Sequence, residues 1–224
     1  YKINFTQFFS KLKLGTTHST GLKNASLYEL YGNIGQKNIN PEKSETNEIF
    51  GQYILSKNIR FASTAYRTRM KDRIKINSSW SAYENKVPDT TQEGLESEIK
   101  WFGNNQSLSL ISHFAKSRTA TGAANSRRPD LSYGIDFSKK FNSTQYGPLN
   151  FNLSHRYIGD HIDWTGSKNE FVKSVDLVDI SLRKNWYGNI FSLNLTNLIN
   201  ERYEKPGTYS QDGRAISLGF SKAY

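Results

Sequence analysis

Few residues in this chain have the types and spacing that chemistry needs. The nearest to a reactive pair are His161 and Asp163 in GDHIDW, which could form an acid–base pair or hold a metal ion. Without a third partner, we interpret this stretch as a solvated loop. The chain has 4 histidines and no cysteine, which excludes disulfides and thiolate metal ligands. We therefore predict no catalytic residue, no metal site, no cofactor and no enzymatic activity.

The positive charge of the chain could indicate a nucleic-acid partner. The formal net charge is +10, but the basic residues form no single cluster and no nucleic-acid motif accompanies them. We interpret them as residues of solvated loops and sheet faces, and we predict no nucleic-acid binding. An anionic lipopolysaccharide surface or an anionic ligand could also favour this charge.

The elements that must position these residues are strands, because apolar and polar residues alternate with a period of two. In LNFNLSHRY (149–157), one face carries Leu149, Phe151 and Leu153, with His155 and Tyr157, and the other is polar. The same alternation recurs along the chain. Inward-facing charges such as Glu98, Asp136 and Arg183 are expected to pair across strands or to stay hydrated.

The pattern predicts about eleven strands. Their spans are 1–8, 11–20, 44–56, 59–70, 90–102, 107–116, 127–141, 149–158, 174–186, 190–199 and 214–224. Short connections (9–10, 57–58, 103–106, 142–148, 187–189) alternate strictly with long ones (21–43, 71–89, 117–126, 159–173, 200–213). All long connections therefore leave one edge of the sheet, as the outer loops of outer-membrane barrels do.

These features predict an all-β fold: a transmembrane, antiparallel, up-and-down β-barrel. Aromatic residues at the two strand ends are typical of the two membrane interfaces, with Trp101 and Trp186 near short turns and Tyr157 and Trp164 near long loops. A soluble β-sandwich or β-solenoid also shows alternation and is the alternative.

Three motifs resemble TonB-dependent outer-membrane receptors. NLINERYEKPGTYSQDGR resembles the end of that family, through Asn197, Leu198, Ile199 (where Phe is usual), Asn200, Tyr203, Tyr209, Gly213 and Arg214. LYELYG (27–32) with NPEKS (40–44) resembles a loop of the family, although Leu22 replaces Phe and Asn24-Ala25 stands where Ala-Pro is common. SRRPDLSYGIDF is the third match. The tyrosine-rich loop with NPEKS most resembles the cobalamin-receptor branch.

This resemblance implies a barrel of about 22 strands with a plugged lumen, of which eleven strands would be the C-terminal half. We expect residues 1–224 to be that C-terminal part, with the plug domain, the first barrel strands and the TonB-contacting segment outside this sequence. The terminal strand, ending at the aromatic Tyr224, is similar to the signal read by the barrel-assembly machinery.

The implied function is import across the outer membrane of a Gram-negative bacterium. The ligand would be cobalamin or a ferric siderophore, and the partners would include the TonB complex, lipopolysaccharide and outer-membrane lipid. The resemblance to the cobalamin branch implies two ligand-binding residues, Arg127 and Tyr209. A rim ion pair for Arg127 and an interface tyrosine for Tyr209 remain equally open. A passive porin or an adhesin-type barrel is the alternative function, and a barrel enzyme a weaker one.

Overall fold

The structure, a computed structural model, describes residues 1–86, 89–119, 122–142, 146–164, 169–204 and 209–222, with only the backbone at position 164. Tyr224 and the side chain of Trp164 thus lie outside the described residues. In chain order the elements are β1 (Lys2–Phe8), β2 (Leu12–Lys23), α1 (Leu27–Tyr31), β3 (Glu42–Ile54), β4 (Ile59–Lys71), β5 (Arg73–Ile76), β6 (Tyr83–Lys86), β7 (Thr90–Gly103), β8 (Gln106–Thr119), β9 (Leu131–Phe141), β10 (Leu149–Ile158), β11 (His161–Trp164), β12 (Asn169–Val172), β13 (Val175–Trp186), β14 (Asn189–Thr196) and β15 (Ala215–Lys222).

Eleven strands form one sheet in the order β1-β2-β3-β4-β7-β8-β9-β10-β13-β14-β15, so each strand lies beside its neighbour in the chain. This confirms the predicted antiparallel up-and-down arrangement. Short turns join alternate strands. One is the pair Tyr187 (φ 48) and Gly188 (φ 79), which links Trp186 to its partner Asn189. Positive φ at both central residues is the conformation that fits the twist of two antiparallel strands. We call the end with these turns the short-turn edge and the opposite end the loop edge.

The long connections hold more structure than the sequence pattern predicts. The 71–89 and 159–173 stretches each contain a separate two-stranded sheet, β5–β6 and β11–β12. The 21–43 stretch contains α1, whose N-terminus is fixed by a capping box between Ser26 and Glu29. The Ser26 backbone N–H donates to Glu29 Oε2 at 2.7 Å, and this bond, followed by the contact of the Ser26 hydroxyl, lowers the pKa of the Glu29 carboxyl. The prediction of plain loops was therefore wrong in these places.

Strand ends also differ from the predicted spans near the candidate site. β9 begins at Leu131 and not at 127, because Arg127 has φ 61, which no extended strand accommodates. β14 ends at Thr196 and not at 199, because Asn197 has φ 50. In both places a left-handed residue starts the turn that carries the chain into or out of a long connection.

The described residues divide into two compact units. Unit 1 comprises residues 1–51, 64–95 and 115–125, and unit 2 comprises 52–63, 96–114 and 126–224. In unit 1, Gly94 lies under an aromatic ring, because a Cβ built there would be 2.6 Å from the ring of Tyr66. Only glycine permits so close an approach of a ring to the backbone.

Strand register in unit 2 separates an apolar face from a polar face. One row of directly paired residues is entirely apolar: Leu108, Phe137, Leu153, Ile180, Leu195 and Ile216. The next row is entirely polar: Ser107, Ser138, Asn152, Ser181, Asn194 and Ser217. Polar side chains bond across the strands, as between the Ser181 hydroxyl and Asn194 Oδ1 at 2.8 Å. The predicted alternation is confirmed along these two rows, while Lys139 and Lys184 lie on the apolar face nearer the short-turn edge.

Many apolar side chains of the described sheet are exposed. Among the residues that the structure describes, the buried apolar side chains are Ile74, Ala115 and Val175. Leu218, by contrast, is 81% exposed and Phe220 64%. So much exposed apolar surface marks a face that meets a partner or a membrane.

The described residues include no helix long and apolar enough to cross a membrane.

Candidate functional site

The candidate site lies at the loop edge of unit 2, where the 126–130 segment, the β11–β12 hairpin and the 197–214 connection begin or end. We first describe the contacts of Arg127. Its backbone N–H donates to the carbonyl oxygen of Ile162 at 2.7 Å, and its Nε donates to Asp163 Oδ1 at 2.6 Å. The two bonds attach the β11–β12 hairpin to the 126–130 segment.

Asp163 is the fixed half of this pair. Its side chain is 0% exposed, whereas that of Arg127 is 59% exposed. The interpretation of this stretch as a solvated loop is therefore wrong for Asp163, which is a buried residue of β11. The guanidinium uses its Nε for Asp163, and its exposed part still presents N–H donors to the outside. Arg127 was predicted either to bind the ligand or to form an ion pair at the rim, and the structure shows the ion pair.

His161, the other half of the possible acid–base pair, lies at the start of β11. Its Nδ1 is 3.2 Å from the carbonyl oxygen of Gly159. A structural contact thus accounts for His161, as the Arg127 ion pair does for Asp163. In the ranges that the structure describes, no group of three or more His, Cys, Asp or Glu residues is arranged to hold a metal ion.

Tyr209 lies in the 197–214 connection and is 66% exposed. The connection is braced on either side of it: Gln211 N donates to the Tyr203 carbonyl oxygen at 3.0 Å, and Glu204 and Ser210 form an antiparallel bridge. Beside these residues is a cavity of about 520 Å³, which Tyr203, Glu204 and Ser210 help to line. Within the described parts of the chain, no hydrogen bond, ion pair or ring contact joins the two predicted ligand-binding residues, Tyr209 and Arg127.

Asn197 forms several hydrogen bonds at the start of this connection, a role that the sequence analysis did not predict. It is 5% exposed. Its backbone N–H donates to Asp179 Oδ1 at 2.8 Å, its Oδ1 accepts from Glu201 N at 2.8 Å, and its Nδ2 donates to the Glu201 carbonyl oxygen at 2.8 Å. Asn is among the few side chains that combine positive φ with local hydrogen bonds. The two asparagines of NLIN (197–200) were therefore the available sequence signal for a structural turn.

Asn200 and Gly213 close the other end of the connection. Asn200 Oδ1 accepts from Arg214 N at 2.9 Å, and a Cβ at position 213 would lie 2.8 Å from that same oxygen. The Gly-Arg pair is thus explained by geometry: glycine leaves room for the Asn200 amide, and the next backbone N–H binds it. The family-like motif serves to shape the loop that presents Tyr209.

On the apolar face near the loop edge, Tyr157 is one of the two aromatic residues predicted for this end; the side chain of the other, Trp164, lies outside the described residues. The rings of Tyr133 and Tyr157 are stacked with centroids 4.8 Å apart. Near the short-turn edge, Phe191 lies 5.2 Å from Phe220 and 6.1 Å from Trp186, between ring centroids. Two aromatic clusters at the two ends of an apolar face are typical of transmembrane barrels.

An antiparallel meander with alternating short turns and long connections, and with one exposed apolar face, defines the class of outer-membrane β-barrel proteins. A family model described as TonB dependent receptor-like, beta-barrel, matches residues 1–198. The chain belongs to this family.

Individual relatives agree with that assignment. Vitamin B12 transporter BtuB of Vibrio cholerae serotype O1 is 22% identical over 221 residues, which is 95% of this chain and 35% of the relative. The chain thus spans about a third of the length of the curated relatives that it matches.

Solved structures show the same fold. The siderophore receptor PirA of Acinetobacter baumannii superimposes with a TM-score of 0.82 at 16% identity, over 100% of this chain and 40% of that one. The ferric yersiniabactin uptake receptor FyuA of Yersinia pestis superimposes with a TM-score of 0.75 at 18% identity, over 97% and 34%.

Proposed function

We propose that this chain is part of a receptor that imports a scarce nutrient, cobalamin or a ferric siderophore, across the outer membrane of a Gram-negative bacterium. The observation that carries the proposal is the family match over residues 1–198 of a sheet whose long connections leave one edge. The names of the similar proteins, a vitamin B12 transporter and two siderophore or ferric-siderophore receptors, support this ligand class. Energy would come from the TonB complex, through a part of the receptor outside this sequence.

Lipopolysaccharide, outer-membrane lipid and the barrel-assembly machinery belong to the same proposal. A continuous apolar row, from Leu108 to Ile216, gives the sheet a lipid-compatible face. β15 extends that face to the last sheet strand, which the assembly machinery would have to place during closure.

Uptake by the full-length protein tests this function. The receptor is expressed in a Gram-negative host that lacks its own cobalamin and siderophore receptors, and uptake of labelled cobalamin and of several ferric siderophores is measured with and without TonB. We expect uptake of one ligand class, abolished without TonB. Uptake that persists without TonB would instead indicate a passive porin, and uptake of none of these ligands would contradict the proposal.

We further propose that Arg127 and Tyr209 contact the ligand. Support comes from their exposure at the loop edge, 59% for the Arg127 side chain and 66% for Tyr209. An arginine fork and a flat ring with a polar tip suit a large polar ligand. Tyr209→Ala should weaken binding by more than about 1 kcal/mol if the ring is an anchor. Tyr209→Phe keeps the ring, so it should retain most of the affinity; equal binding by wild type and Tyr209→Ala would remove this residue from the site.

A further inference from the structure

The β5–β6 hairpin, in the long connection between β4 and β7, carries a cluster of cations that the proposed function does not use. Its register pairs Arg73 with Lys86 and Lys75 with Glu84. Directly paired residues and alternate residues of a strand share one face. Arg73, Lys75, Lys86 and Glu84 therefore lie on the same face of the hairpin.

The hairpin is part of unit 1, and hydrogen bonds attach it to the 40–42 segment of the same unit. Ile74 is 8% exposed, and its N–H donates to Glu42 Oε1 at 2.8 Å. The amide of Asn85 donates to the carbonyl oxygens of Asn40 at 2.9 Å and Asp72 at 2.7 Å. These bonds fix the hairpin and so hold its charged face in place.

The three cations are partly buried and close together. The pKa of Lys75 is lowered to about 8, mainly by burial and also by the charges of Arg73 and Lys86 and a side-chain hydrogen bond with Lys86. Arg73 donates to the Thr90 hydroxyl at 3.3 Å. Across the described residues, no carboxylate forms an ion pair with Arg73, Lys75 or Lys86. Glu84, the one acidic residue of this face, is exposed.

We propose that Arg73, Lys75 and Lys86 form a binding site for a multivalent oxyanion. Three cations held together by an anchored hairpin repel one another, and an anion with several oxygens would remove that repulsion. Arg73 offers a planar donor fork, while the two lysines offer point charges that adapt to a phosphate or a carboxylate group. The site is defined by charge and placement, and it stands independently of the proposed transport.

The oxyanion could come from two sources at the loop edge. One is a phosphate of the glycolipid in the outer leaflet, and the other is an acidic group of an anionic iron chelate. Both present the same chemistry to the cluster. The experiment below includes both, with inorganic pyrophosphate as the common probe.

Amine labelling of the full-length receptor in detergent tests the site. At pH 8 a lysine with a pKa of about 8 is half deprotonated, so its free-amine fraction is about 100-fold larger than that of an ordinary lysine, and it should be labelled faster. Pyrophosphate should slow the labelling of Lys75, since bound anion stabilises the protonated amine and raises its pKa. This protection should fade as the pH rises through 8, because Lys75 loses its charge; Arg73, Lys86 and Glu84 are the other charged residues on its face of the hairpin.

Lys37 provides the matched control, since it lies in a long connection of the same unit with its ammonium 5.8 Å from the centre of the Tyr31 ring. Pyrophosphate should leave Lys37 labelling unchanged. Lys86→Gln should reduce protection of Lys75 at least fivefold, and Lys37→Gln should not. Protection of Lys37 and Lys75 to the same extent in the wild-type receptor, or none at Lys75, would overturn the proposal even if the Lys86 variant fails to fold.

Two further arms assign the source of the anion. Lipopolysaccharide or ferric citrate replaces pyrophosphate, and the one that protects Lys75 supplies the natural oxyanion class. A receptor that imports nothing yet shows pyrophosphate protection keeps the oxyanion site and loses the proposed transport. The reverse result keeps transport and loses the site.

Discussion

Removing Arg127 should loosen the β11–β12 hairpin while leaving the barrel sheet intact. Asp163 is 0% exposed, and the 2.6 Å bond from Arg127 Nε is one of the contacts that satisfy it. A buried acceptor that loses a charged partner costs about 1–3 kcal/mol. Because the Arg127 side chain is itself 59% exposed, we expect the lower half of that range.

Hydrogen exchange measures this local cost. A loss of about 1–2 kcal/mol raises the population of the locally open hairpin by about 5- to 30-fold. Exchange of the β11 and β12 amides in Arg127→Ala should accelerate by that factor, while the amides of β10 and β13 should keep their rates. The adjacent Arg128→Ala is the matched control, since Arg128 is an exposed arginine of the same segment.

A double-mutant cycle separates the pair from other effects. Asp163→Asn removes the negative charge, so the further change Arg127→Ala should then cost much less than it does in the wild type. Equal amide exchange rates in the Arg127 and Arg128 variants, or full additivity in the cycle, would show that the Arg127–Asp163 ion pair does not hold the β11–β12 hairpin. The same variants help to interpret ligand binding. If Arg127→Ala and Asp163→Asn lower the ligand affinity equally, the loss comes from the changed position of the hairpin and not from a lost contact between Arg127 and the ligand.

Other positions give sharper tests of the sheet and of its corner. Leu153→Arg places a charge on the apolar row and should destabilise the folded protein by up to about 2–4 kcal/mol, whereas Asn152→Arg on the polar row should cost little. Heat-modifiable gel mobility measures the yield of assembled barrel for each variant. Equal yields for the two variants would mean that the faces are misassigned. Asn197→Ala should destabilise the protein by about 2–3 kcal/mol, because it loses hydrogen bonds and leaves alanine at a positive φ. Asn197→Gly should cost about 1 kcal/mol less, because glycine tolerates that φ. Identical urea midpoints for the two variants would disprove the contribution of backbone strain. Gly94→Val should lower the urea midpoint by about 1–3 kcal/mol in stability, and the additional change Tyr66→Ala should restore part of the loss, since the new side chain would collide with that ring.

Much of the sheet could be predicted from the sequence because its signal is local. Alternation of Leu149, Phe151 and Leu153 with polar neighbours requires no knowledge of which strands pair, and the structure places all three on the apolar face. The alternating lengths of the connections likewise define an up-and-down order. The capping box from Ser26 to Glu29 could also have been predicted from its Ser-x-x-Glu pattern, but the sequence analysis did not predict it.

The candidate site was less predictable, because its residues acquire their roles from distant partners. Arg127 was selected by resemblance, but its partner Asp163 lies 36 positions further on, in a hairpin too short to give a periodic signal. The cation cluster was missed for the same reason: RIK and YENK contain ordinary surface charges until the β5–β6 register places Arg73 beside Lys86. The burial that lowers the pKa of Lys75 depends on the packing of the hairpin against the rest of unit 1.

The sequence by itself determined the period-two faces, the number of sheet strands and the alternation of their connections, since side-chain direction along a strand is fixed by backbone geometry within a few residues. Only the tertiary structure decided which loop residues meet. The bond between Arg127 and Asp163, the interior position of Asn197 and the shared face of Arg73, Lys75 and Lys86 depend on the burial and register of segments that are separate in the chain. Burial and Coulomb energies act through space, so residues that look alike in the sequence become a clamp, a corner and a charged site only after folding.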